Sequence, residues 1–229
     1  MKKITSLFLL FFLTMPYLYA NDPVNLFSPK QATPKRKFSS LVSKPDIFVS
    51  SNNLAKKPGS FYGAKGEVIY LTGQVTDSFG VPVSGAVIRI WQTNSAGWYQ
   101  NLLVADSDLI DENFSMSGKT ATDNLGNFGF ITIMPGSYAN RAPHINIDVA
   151  HRQFESLESE IYFADHPKND QDYQYLSYDD LQKKLLTANV RLANGLDPSS
   201  TKIFNFDVTL EGVHKFKGFN ISTQKNPQI

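Results

Sequence analysis

The sequence predicts an all-β domain, a β-sandwich with long loops and one short helix. Three observations carry this reading. From Gly66 onward, short segments of alternating or β-branched residues recur between Gly, Pro, Asn and Asp turn signals. Only one stretch has the period and stop signals of a helix. The chain has no cysteine, so no disulfide or thiolate metal site can brace it, and a hydrophobic core must hold it together.

The elements follow in order. Val68 to Leu71 and Gly73 to Asp77 read as strand, ending in a turn at Ser78-Phe79-Gly80. After a break at Pro82 to Gly85, Ala86 to Gln92 alternates like a strand with one buried face, which puts Trp91 in the core. Thr120 to Asp123 and Phe128 to Ile133 flank a turn at Asn124 to Asn127 and suggest a hairpin, with Phe130 in the core. His144 to Val149 is a further strand, and Phe204 to Leu210 is the last core strand. Two long loops, roughly 100–118 and 164–200, interrupt the pattern, and the second holds the helix, expected from Ser177 or Tyr178 to about Leu192. Long loops at the ends of a sandwich are where binding chemistry gathers. Asp106, Asp108 and Asp111 lack the spacing and glycine of a calcium loop and read as a solvated acidic loop.

Before the domain lie two other segments. Residues 1–20 have a basic start, an apolar run from Leu7 to about Tyr19 that is broken by Pro16, and a polar break after Ala20. That is the pattern of a secretory signal peptide, and the run is short for a span of ~20 residues. The expected location is therefore outside the cytoplasm, periplasmic or secreted. Residues 21–60 carry seven Lys or Arg against two Asp and lack periodicity, which suggests a basic, flexible arm with a short strand near Asp46 to Ser50. The domain, residues 61–229, carries thirteen Lys or Arg against nineteen Asp or Glu. An acidic domain without a recognisable motif argues against nucleic acid as a partner.

Several ordered segments bear on function. They include Ile90-Trp91-Gln92-Thr93-Asn94 through Gly97-Trp98-Tyr99, then Ile133-Met134-Pro135-Gly136-Ser137-Tyr138, then Arg141-Ala142-Pro143-His144-Ile145-Asn146, with Tyr162-Phe163-Ala164-Asp165 beyond. From about Gly73 to Gly212 the chain resembles the intradiol ring-cleavage dioxygenases, particularly the β-subunit type of protocatechuate 3,4-dioxygenase. The resemblance implies the β-sandwich of that family and a non-haem ferric ion, Fe(3+), held by two tyrosines and two histidines. Tyr99, Tyr138 and His144 match the first three, and Asn146 stands at the fourth. It further implies that a catecholic substrate displaces Tyr138, that Arg141 stabilises charge on the activated ring, and that Glu160 occupies a substrate-side glutamine position.

The residues taken singly are equally at home in a plain fold: a tyrosine at a sandwich edge, a tyrosine capping a turn, a satisfied histidine in a core. An amide binds transition metals less well than imidazole. The amide oxygen, a water, or Asp148, His151 or His166 would have to complete the set. Two functions therefore stand open. One is an exported ring-cleaving dioxygenase that uses a catecholic small molecule and O2. The other is a metal-free sandwich serving as an envelope binding or interaction protein. Self-association and an envelope protein partner are both compatible with the sequence.

Overall fold

The computed structural model describes residues 28–39, 42–99, 109–191 and 202–213. The signal-like segment, Asp106, Asp108 and the stretch around Gly195 to Pro198 lie outside the described residues. Among the described residues nine strands form one continuous sheet: β1 (Val68–Thr76), β2 (Val87–Trp91), β3 (Ser117–Ala121), β4 (Asn127–Ile133), β5 (His144–Ala150), β6 (Leu157–Phe163), β7 (Thr187–Arg191), β8 (Lys202–Asn205) and β9 (Val208–Thr209). The order is β3-β2-β5-β6-β7-β8-β1-β4, with β9 on β1. The two halves of this sheet close over a common core, as a sandwich requires. Ile88, Ile147 and Ile161 of one half share a single hydrophobic cluster with Leu71, Val75 and Phe130 of the other. Phe163 on β6 meets Phe204 on β8 edge-on at 5.0 Å between ring centroids.

The strand alternation explains the site. On β5, Ile145, Ile147 and Val149 belong to that core, so His144, Asn146 and Asp148 point to the opposite, outer face. The ladders align this outer row with Trp91 and Arg89 on β2 and with Glu158, Glu160 and Tyr162 on β6: Trp91 pairs Asn146, Asn146 pairs Glu160, and His144 pairs Tyr162. Nearly every residue of β5 is nonetheless buried, because loops and the N-terminal segment cover that face.

Several expectations need correction. The segments around the 124–127 turn do not pair with each other: β3 pairs β2 and β4 pairs β1, so the turn crosses from one half of the sandwich to the other. The carboxylate of Asp123 organises that crossing by accepting from the amides of Leu125 and Asn127. The helix is shorter than its periodicity suggests. Within the expected range only α2 (Asp180–Leu185) is helical, and a separate α1 (Tyr173–Leu176) and a 3-10 turn at Asn169–Gln171 come before it. Asp179 caps α2 in a capping box with Gln182. Thr187 to Arg191 leaves the helix because β6 and β8 offer it partners on both sides, which outweigh a marginal helical preference. β6 escaped the sequence reading because two of its three outward positions, 158 and 160, are glutamates. Phe204 to Leu210 splits into β8 and β9, and Asp46 to Ser50 forms no strand.

Residues 28–39 and 42–60, within the expected arm, lie along the domain. Thr33 N–H donates to Thr209 O at 2.9 Å, Arg36 N–H to Glu158 O at 2.9 Å, and Leu54 N–H to Ile131 O at 2.7 Å. Ser159 Oγ donates to Pro34 O at 2.7 Å.

Candidate functional site

Two loops deliver the tyrosines, and each is shaped by its own sequence. Asn94 accepts with its side-chain oxygen from the amides of Ala96 and Trp98 at 3.0 Å each, and this folds the turn that ends at Tyr99. Gly136 N–H donates to Asn94 O at 2.8 Å, and Thr93 Oγ1 donates to Gly136 O at 2.8 Å, so the Met134-to-Tyr138 loop is laced to the first. The two loops touch at glycines: a Cβ on Gly97 (φ +80) would lie 2.1 Å from Ser137 O. Beyond Tyr138 the chain reverses in a tight turn with positive φ at Ala139 and Asn140, closed by Arg141 N–H to Tyr138 O at 2.7 Å. That reversal places Tyr138 and Arg141 on neighbouring positions above β5.

Tyr99, Tyr138 and His144 come together. The tyrosine rings meet edge-to-face with centroids 5.1 Å apart, and Tyr138 lies 5.6 Å from the His144 ring. His144 and Tyr99 are buried. His144 Nδ1 is 2.7 Å from Ala142 O, a contact that requires the proton on Nδ1 and leaves the lone pair on Nε2. Nε2 is buried and has no hydrogen-bond partner among the described residues. A histidine anchored through one nitrogen, with the other unpartnered among the described residues and the ring beside Tyr138, could ligate a metal. Burial holds its pKa below the ordinary value, with Glu160 opposing. Burial, with Tyr138 next, raises the Tyr99 phenol well above its usual range. The three groups together therefore favour a cation between them.

Asn146 occupies its expected place beside Tyr99, but with a definite orientation. Its Nδ2 donates to Trp91 O at 3.1 Å and to Tyr99 Oη at 2.9 Å, while its Oδ1 accepts from Arg36 Nη1 at 3.1 Å. A carbonyl can only accept and a guanidinium can only donate, so these partners dictate which end of the amide is which. The amide nitrogen thus faces the tyrosine. The donor set fits a metal through three side chains, and the fourth position presents N–H. Trp91 is buried, but against Val42 and Tyr99 on the outer face rather than in the sandwich core. With those residues it lines a cleft of about 250 Å³ beside Tyr99.

Arg141 is fully buried in an ionic cluster. Its Nε donates to Asp172 Oδ2 at 2.8 Å, and its Nη2 donates to Glu160 Oε2 at 2.6 Å and to Tyr162 Oη at 2.8 Å. Burial disfavours the guanidinium charge, but Glu160, Tyr162 and Asp172 outweigh it and raise the pKa further. Tyr162 is raised by burial and then by Glu160, to whose Oε2 it donates at 2.6 Å. Asp172 was missed by the sequence reading. Its only signal was an Asp ahead of Tyr-Gln-Tyr-Leu, which suits a helix N-cap. It caps α1 through Oδ1, accepting from Gln174 and Tyr175, while Oδ2 also takes the Ala142 amide at 2.8 Å.

The other candidates stay apart. Asp148 is held by Lys44 at 2.5 Å and Arg89 at 2.6 Å. His151 packs against Phe154, and His166 accepts from the Lys168 amide with Nδ1. Among the described residues no three His, Cys, Asp or Glu side chains converge; tyrosine oxygens dominate this centre.

The buried, neutral His144 makes stability depend on pH in metal-free protein. Its folded pKa is lowered, so the unfolded chain takes up the proton first as pH falls below about 6.5. Stability should therefore decline on acidification below that value, and the His144→Gln variant should decline less. Parallel denaturation profiles of the two proteins from pH 7 to 5 would contradict this.

A dioxygenase family model matches residues 49–212. The protocatechuate 3,4-dioxygenase beta chain of Burkholderia cepacia is 28% identical over 204 residues, covering 83% of this chain and 84% of that one. The catechol 1,2-dioxygenase of Candida albicans is 33% identical over 130 residues, and the chain spans 42% of its length. The catechol 1,2-dioxygenase of Pseudomonas arvilla C-1 superposes with a TM-score of 0.61 at 20% identity, over 80% of this chain and 63% of that one, and so supports the fold.

Proposed function

Because the chain belongs to the intradiol dioxygenase family, we propose that it opens the ring of a catecholic compound with O2, between the two hydroxyl-bearing carbons, to give a dicarboxylic acid. Tyr99, Tyr138 and His144 would hold a non-haem ferric ion. The observation that carries this is the buried Nε2 of His144, without a hydrogen-bond partner among the described residues, on a ring 5.6 Å from that of Tyr138, which itself meets Tyr99 at 5.1 Å. When bound, the ferric ion supplies a Lewis acid for the catecholate and electronic contact between ring and O2. The protein's residues supply the rest. Tyr138, on its short turn, would as a phenolate take a hydroxyl proton from the substrate. Arg141, fixed by two carboxylates, presents a permanent positive charge without rearrangement during the reaction. Tyr99, locked by Asn146, stays in place. The cleft beside Tyr99, lined by both apolar and polar side chains, has the volume for a single aromatic ring.

The signal-like N-terminus supports a place outside the cytoplasm. Mass spectrometry of the mature N-terminus in the exported fraction checks it, and a mature chain that still begins at Met1 contradicts it.

One observation favours the metal-free alternative, an envelope binding protein: the Asn146 amide turns its N–H to Tyr99 and its oxygen to Arg36. Iron content separates the two. On the enzymatic reading, purified protein supplied with ferric ion binds one per chain and is coloured by tyrosinate-to-iron charge transfer. A colourless, iron-free wild type beside an iron-binding, coloured Asn146→His variant would establish the alternative.

A further inference from the structure

The geometry points to Glu160 as the fourth protein donor to the ferric ion, through Oε1, in place of the side chain at position 146; this rests on the ferric reading above. Glu160 and Asn146 are direct partners in the β5–β6 ladder and share the outer face, where opposite Cβ atoms lie about 4.5–5.5 Å apart. The carboxylate thus starts from the strand position next to the one that cannot ligate. It is already oriented: Arg141 Nη2 and Tyr162 Oη both donate to Oε2 at 2.6 Å, which fixes the carboxylate in place. Its other oxygen, Oε1, is buried with no hydrogen-bond partner among the described residues. The same description applies to His144 Nε2. Two bare acceptors cannot satisfy each other. They call for a donor or a cation, since buried polar atoms are rarely left unpaired.

Charge points the same way. Glu160 and Asp172 flank one guanidinium, Arg141, so the cluster carries an excess negative charge before either phenol ionises. A hard, trivalent ion takes anionic oxygens readily. Two phenolates and a carboxylate would balance its charge, with the imidazole as neutral donor. Asp148, the other carboxylate in the outer row, is committed to Lys44 and Arg89. The Asn146 amide then acts from outside the ligand set, donating to Tyr99 Oη.

Ferric binding to the full mature chain, delivered as a citrate complex and followed by competition and by the charge-transfer band, tests this. Glu160→Gln should lose ferric affinity by about 100-fold or more, since even outer partners of a ligand are worth 10–100-fold, and its band should shift. Asn146→His in the Glu160→Gln background should restore binding by supplying a donor from the adjacent strand. Glu158→Gln, one row away on the same face, should bind as wild type does. Equal affinity and an unchanged band in Glu160→Gln would overturn the assignment while leaving the ferric reading intact. A wild type that binds no iron would overturn both. Should Glu160→Gln fail to fold, difference infrared spectra of wild type with and without iron decide. A carboxylate stretch that moves on loading supports Glu160, and none moving overturns it.

Discussion

Replacing Arg141 with methionine is expected to destabilise the protein by about 3–5 kcal/mol, because it strands two buried carboxylates without a counter-charge. Arg141 is 1% exposed, and its partners Glu160 and Asp172 are 1% and 0% exposed, so water cannot replace the lost donors. The cost is the desolvation of Glu160 and Asp172 rather than the worth of two ion pairs, and this distinction is measurable. The Arg141→Met, Glu160→Gln double variant should recover part of the loss, since one stranded charge is gone. Urea unfolding with a shared slope gives the comparison. A loss under about 1 kcal/mol in the single variant would mean that the cluster is hydrated and that Arg141 is not a fixed, desolvated charge.

The Gly97→Ala variant should disturb stability and site together. Gly97 has φ +80, and a Cβ there would sit 2.1 Å from Ser137 O, on the loop that carries Tyr138. The left-handed conformation alone costs about 1–2 kcal/mol with a side chain. The clash must be added, and it can be relieved only by parting the two tyrosine loops. Gly85 is the matched control: its φ is +74, and among the described residues nothing lies within 4 Å of a Cβ built there. Gly85→Ala should therefore pay only the conformational part, about 1–2 kcal/mol. Gly97→Ala should cost more than that and also weaken ferric binding. Equal losses in the two variants would show that the loops do not depend on their close approach.

Much of this was legible along the chain, for a physical reason. Alternation declares which strand face enters a core, and His144 and Asn146, two apart, had to share a face. The resemblance to a family singled out the segments that bear Tyr99 and Tyr138. What stayed hidden depended on partners distant in sequence. Nothing local shows that β3 and β4 part company at the 124–127 turn, or that Thr187 to Arg191 is taken from its helix by strands on either side. The glutamates of β6 resemble a solvated strand until a buried guanidinium from position 141 and a cap residue from position 172 are brought to them.

The sequence by itself determined the sandwich through short-range periodicity, and through its resemblance to a family it singled out the tyrosine–histidine trio and the departure at position 146. Only the tertiary structure decided what that departure means. Arg36 arrives from 110 residues away to turn the Asn146 amide, and Glu160 arrives across the ladder with one bare oxygen. Hydrogen-bond direction and desolvation are properties of groups brought together in space, and no order of residues along a chain contains them.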